Sequence, residues 1–135
     1  MPDKNNALFK ISKLGHNDDR ISAKLDINKD CDIFTGHFPG QPVVPGACML
    51  QIVKEVLEIA LDMPLRLKKA DHLKFMAMID PENTQAVDLD IAYKFEEDGD
   101  IIVTAKLMSG EVVCFKFQGR FIEVAKSYAR SSIHV

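Results

Sequence analysis

The sequence predicts an α+β fold in which a curved antiparallel sheet wraps around one long helix. Three observations carry that expectation. Apolar and polar residues alternate in runs on both sides of the chain's middle, one Pro- and Gly-free segment between them is apolar almost all round, and short polar turns separate the later runs. A helix with so little polar surface must be covered, and strands are the only other elements available to cover it.

The clearest alternation runs from Arg20 to Asn28, with Ile21, Ala23, Leu25 and Ile27 on one face and Ser22, Lys24 and Asp26 on the other. That is the period of a half-buried strand. Leu8 to Leu14 alternates more loosely through Phe9 and Ile11, and Gly15-His16-Asn17-Asp18-Asp19 between the two has turn composition, so the pair reads as a hairpin. Residues 36–46 are too densely punctuated by Gly and Pro for a helix or a central strand and must form an ordered loop. Ala47 to Met63 follows as the helix, with Pro45 near its first turn and Pro64 just past its end. Its apolar residues leave one narrow polar stripe of Gln51, Lys54, Glu55, Glu58 and Asp62.

Period two then returns through Leu73, Phe75 and Ala77, through Val87 to Phe95, through Ile101 to Leu107, and through Val113, Phe115 and Phe117. Turn-forming groups such as Asp80-Pro81-Glu82-Asn83 and Ser109-Gly110 separate these runs, and short connections between consecutive strands predict an antiparallel meander. The end, Ala125 to Val135, is polar and reads as a frayed tail or short helix. The whole of residues 1–135 is expected to be one domain.

Composition narrows the function classes. Seventeen Lys and Arg against twenty Asp and Glu give a net charge of −3, without the basic excess that nucleic-acid backbones demand. No stretch approaches the roughly 18 uninterrupted apolar residues of a membrane helix, so no membrane insertion is expected. Cys31, Cys48 and Cys114 are odd in number and far apart, with no zinc-ligand spacing. Neither a disulfide framework nor a structural metal is expected, and a reducing cytoplasm fits best.

The loop and helix start, Gly36-His37-Phe38-Pro39-Gly40-x-Pro42-x-x-Pro45-Gly46, resembles the signature of the beta-hydroxyacyl-[acyl-carrier-protein] dehydratases, which share the hotdog fold. Ile21 to Asn28 looks like the family strand before this signature, and Asp71-His72-Leu73-Lys74-Phe75 like the strand after its helix. The resemblance implies dehydration of 3-hydroxyacyl thioesters on acyl carrier protein to trans-2-enoyl thioesters, in fatty acid synthesis or a specialised lipid or polyene route. It also implies no metal or redox cofactor, and a homodimer or higher homo-oligomer with each site lying across the dimer interface.

Such a reaction needs a base for the proton next to the carbonyl and an acid for the departing hydroxyl. By resemblance His37 is the catalytic histidine, and a neutral imidazole suits a base near neutral pH. Phe38 and Pro45 belong to the substrate-binding loop by the same resemblance. Backbone N–H groups near Gly46 and Ala47, at the helix N-terminus, can polarise the thioester carbonyl, and Gly46 lets an acyl chain come close to the backbone. The family carries an acid five residues beyond the Pro-Gly pair, where this chain has Gln51. A carboxamide cannot deliver that proton. Glu55 stands one helical turn further on, where the family commonly has Gln, and is the candidate replacement acid.

Plainer readings stand beside these. Gln51 and Glu55 would equally suit a solvated helix stripe, Cys48 a small buried hydrophobe, and His16, His72 and His134 the surface. Arg66, Lys68 and Lys69 form a basic cluster that would suit an acidic carrier protein or simply a solvated strand end. Two other functions follow from the same residues. One is a non-catalytic acyl-carrier or acyl-chain binding subunit that lost its acid at Gln51 and needs a partner chain; the other, a hotdog thioesterase, fits the loop less well.

Overall fold

The computed structural model describes residues 7–36 and 42–124. The expected tail, Ala125 to Val135, lies outside the described residues. Six strands and two helices follow in the order β1 (Phe9–Asn17), β2 (Arg20–Ile27), α1 (Ile33–Gly36), α2 (Gly46–Leu61), β3 (Leu65–Phe75), β4 (Ala86–Phe95), β5 (Ile101–Ser109) and β6 (Val112–Glu123). The strands form one antiparallel sheet in the order β1-β2-β4-β5-β6-β3. Helix α2 touches both edge strands, β1 and β3, as well as β2 and β4. Only a sheet curled around the helix lets one helix reach both edges.

The expected hairpin is present, with Asn17 opposite Arg20 and Asp18 at φ 55° in the turn, where Asp is among the residues that tolerate the left-handed region. Ile21, Ala23 and Leu25 of β2, Leu89 and Ile91 of β4, Val103 and Leu107 of β5, and Phe115 and Phe117 of β6 all point inward and are buried. They meet Met49, Ile52, Val53, Val56 and Leu57 of α2. Alternation in the sequence thus sets the inner face strand by strand.

Two expectations need correction, and one short element was not foreseen. The four later strands are not a simple meander, because β3 pairs with β6 at the far edge while β4 enters the middle beside β2. The turn at Asp80 to Thr84 is real, with Thr84 N–H donating to the Asp80 carbonyl at 2.9 Å, yet it lies within a crossover rather than a hairpin. The helix begins at Gly46 and ends at Leu61, and it is covered on one side only. Ala47, Gln51, Glu55 and Ile59, each four residues from the next, are exposed. Finally, the segment before the loop forms the short helix α1, in which Thr35 Oγ1 donates to the Asp32 carbonyl at 2.7 Å.

Candidate active site

The entry to α2 is assembled from three chain segments. Val44, which is buried, donates its N–H to the Ile79 carbonyl at 3.0 Å, and this fixes the residues before the helix to the β3–β4 crossover. Met76 N–H donates to the Cys114 carbonyl at 2.8 Å and ties the same crossover to β6. Phe75, at the end of β3, stacks on Phe115 with ring centroids 5.1 Å apart and lies over Gly46. A Cβ on Gly46 would stand 2.6 Å from that ring. The glycine expected to admit an acyl chain therefore also admits an aromatic ring, and no sequence pattern linked the two residues.

Pro45 occupies the N-cap position in extended conformation (φ −65°, ψ 143°) and offers no side-chain cap. Its carbonyl accepts Cys48 N–H at 3.1 Å. Among the described residues no side chain caps the first amides of the helix, at Gly46 and Ala47, and the positive end of the helix dipole is concentrated there. Ala47 is exposed beside them, while Pro45 and Gly46 are half-buried.

Gln51 and Glu55 come together one and two turns further along the exposed stripe. Gln51 Nε2 donates to Glu55 Oε1 at 3.3 Å. A carboxylate only accepts, so the amide must turn its NH₂ toward Glu55, leaving its own carbonyl oxygen available as an acceptor. Cys48 lies one turn before Gln51. Burial chiefly, then Cys31 and the Glu55 carboxylate, raise its thiol above the usual value, which suits an inert packing residue rather than a nucleophile. His37 and Phe38 lie outside the described residues.

The other sequence-flagged groups lie elsewhere. Lys68 donates to both oxygens of Asp100 at 2.8 and 2.9 Å, Arg120 reaches the same carboxylate at 3.2 Å, and Lys69 pairs with Asp71 at 3.3 Å. The basic cluster past the helix is thus largely neutralised within the chain. His16, expected at the surface, is exposed and has Nε2 at 2.7 Å from the Tyr93 hydroxyl, which donates to the Asp18 carbonyl at 2.9 Å. With the phenol proton committed to Asp18, His16 must donate from Nε2. The sequence hid this pair because the two residues are far apart along the chain.

Comparisons with known proteins agree with this architecture. The curated 3-hydroxyacyl-[acyl-carrier-protein] dehydratase FabZ of Enterococcus faecalis is 30% identical over 80 residues, a match covering 54% of this chain and 57% of that protein. FabZ of Haemophilus influenzae is 38% identical over 51 residues, covering 38% and 33% respectively. The chain thus matches about half or less of the length of these curated relatives. Among solved structures, the dehydratase heterocomplex ApeI:P from Xenorhabdus doucetiae superposes with a TM-score of 0.68 at 17% identity, covering 84% of this chain and 97% of that one. Cj0977, a sigma28-regulated virulence protein from Campylobacter jejuni, superposes with a TM-score of 0.67 at 10% identity, covering 91% and 88%. At these identities the structures speak to the hotdog fold alone. The profile of the ApeI-like family, described as ApeI dehydratase, matches residues 13–114; spanning most of the sheet and all of α2, that match makes this chain a member of the ApeI-like dehydratase family.

Proposed function

We propose that this chain eliminates water from 3-hydroxyacyl thioesters carried on acyl carrier protein, giving trans-2-enoyl thioesters for fatty acid or related lipid synthesis. The observation that carries the reading is the helix entry. A family signature with a histidine leads into uncapped helix amides, and an amide–carboxylate pair follows on the same exposed stripe.

In this reading the thioester carbonyl oxygen sits at the amides of Gly46 and Ala47, which stabilise charge as it develops. His37 takes the proton from the carbon beside the carbonyl. The released electron pair forms the new double bond as the carbon–oxygen bond at the third carbon breaks, and the departing hydroxide takes the proton of Glu55, which acts here in its carboxylic acid form with Oε1 still accepting from Gln51, to leave as water. Solvent returns the proton from His37 to Glu55. Gln51 orients the hydroxyl through its free carbonyl oxygen, with its amide held by Glu55. Phe38 and Pro45 line the acyl path.

The reading includes a homodimer. Among the described residues β3 is an edge strand with one side unpaired, and near its end Leu73, Phe75, Met76 and Met78 are 38%, 52%, 55% and 80% exposed. The exposed stripe of α2 also ends in an apolar residue, Ile59, 56% exposed. An open edge and a patch of this kind are what a partner covers. Sedimentation should give twice the monomer mass, and Met78→Lys with Phe75→Lys should return it to one.

A second reading is supported by Gln51 at the acid position and by the likeness to a structure described as a dehydratase heterocomplex. There the chain binds acyl carrier or acyl chain and completes its site with a different subunit. The test is incubation of the purified protein with 3-hydroxyacyl-carrier thioesters of several lengths, followed by mass spectrometry. Loss of water by wild type and its absence in His37→Ala supports dehydration. Release of free thiol would make it a thioesterase, and no reaction at any length would favour the binding subunit.

A further inference from the structure

The outer face of the sheet, turned away from α2, carries an unusual row of charges. Register places Lys74 of β3 opposite Lys116 of β6, and Lys116 opposite Lys106 of β5. Three lysines therefore stand side by side on three adjacent strands, each about 4.8 Å from the next strand. All three are exposed. Like charges directly opposite one another destabilise a sheet, and none of the three has an ion pair among the described residues. Asp90, opposite Lys106 in register, is not within pairing distance of it. The contrast with Lys68, Lys69 and Arg120 is direct, since each of those has a carboxylate partner.

The row crosses an open groove of about 480 Å³ that also includes Arg20 and His72, with Asp90 as its one carboxylate among the described residues. A chain of net charge −3 thus concentrates unpaired positive charge on one face. We propose that this face docks a partner protein through a helix whose carboxylates repeat once per turn. The spacing carries the argument. Successive turns of a helix are 5.4 Å apart, close to the spacing of neighbouring strands, so one acidic stripe meets all three lysines in register. An anionic membrane fits less well because the described residues of the groove offer no large exposed apolar side chain to insert. A nucleic-acid strand fits less well because the groove has no Phe, Tyr or Trp side chain exposed for stacking among the described residues. The face lies across the sheet from α2, so this docking does not depend on the dehydratase reading.

The test uses a fluorescein-labelled helical peptide with glutamates at i, i+4, i+7 and i+11, titrated with the full chain at low and high salt. Binding that weakens as salt rises, and at least tenfold in Lys116→Glu but not in Lys29→Glu, supports the proposal. Lys116→Glu should at the same time raise the melting temperature by about 2 °C, because it places a carboxylate between Lys74 and Lys106. Equal binding by wild type and Lys116→Glu, or none by wild type, overturns it. So does tighter binding to phosphatidylglycerol vesicles or duplex RNA than to the peptide, and so does salt-sensitive self-association that Lys116→Glu abolishes.

Discussion

The two ends of α2 are built differently. At the N-terminal end Pro45 gives no side-chain cap, the first amides have no side-chain partner among the described residues, and Ala47, Gln51 and Glu55 face outward. At the C-terminal end Asp62 takes the left-handed conformation at φ 53°, Met63 N–H donates to the Glu58 carbonyl at 3.2 Å, and Glu58 Oε2 accepts Leu65 N–H at 2.9 Å. One glutamate thus closes the helix and pins the start of β3. Just beyond, buried Asp100 clamps Lys68 of β3 to Arg120 of β6. Polar groups are satisfied where the helix is anchored and left open where chemistry is proposed.

Changes at the two ends should therefore separate stability from turnover. The largest expected effect is on rate. His37→Ala should lower dehydration by about 10²–10⁴-fold while leaving the melting temperature of the purified protein unchanged by calorimetry. Leu57→Ala, with Leu57 fully buried between helix and sheet, should cost about 2–5 kcal/mol in urea unfolding. Glu58→Ala at the anchored end should cost about 1–2 kcal/mol by losing the bond to Leu65 N–H, with kcat of the folded enzyme retained. If Glu58→Ala lost turnover and kept its stability, the division between the ends would fail.

Asp100 sharpens the anchored side through pH. The hydrogen bonds from Lys68 chiefly, helped by Arg120 and opposed by burial, hold its carboxyl below the ordinary value. A lowered folded-state pKa adds stability that is present above the unfolded value of roughly 3.9 and is lost as pH falls through the folded one. Asp100→Asn should therefore destabilise the protein at pH 7, with the difference from wild type shrinking toward pH 3 in thermal melts. The smallest stability change is expected for Gly46→Ala. Better helix propensity opposes displacement of the half-exposed Phe75 ring, leaving a net shift within about 1 kcal/mol.

Those strands that hide one face were legible in the sequence. Ile21, Ala23 and Leu25, or Val103, Ala105 and Leu107, show their inner face because water covers the other. β3 was legible only near its end. It is exposed along most of its length, and bulges between Leu67 and Lys69 and between Ala70 and His72 break its period. One bulge approaches β6 so closely that a Cβ on Gly119 would collide with the Lys69 carbonyl. Strand order was not legible, since the Asp80 turn has the same composition whether it joins neighbours or crosses the sheet. At the helix entry, Gln51 and Glu55 could be paired from their spacing, whereas Phe75 over Gly46 and Val44 bonded to Ile79 are long-range contacts that no local pattern encodes.

The most direct test of the account is the turnover of 3-hydroxyacyl-carrier thioester by Glu55→Gln beside wild type and Gln51→Ala, each with its melting temperature. The open end of α2 as a site of proton transfer predicts that Glu55→Gln abolishes dehydration, Gln51→Ala only weakens it, and neither moves the melting temperature by more than about 2 °C. Full activity in Glu55→Gln would contradict it.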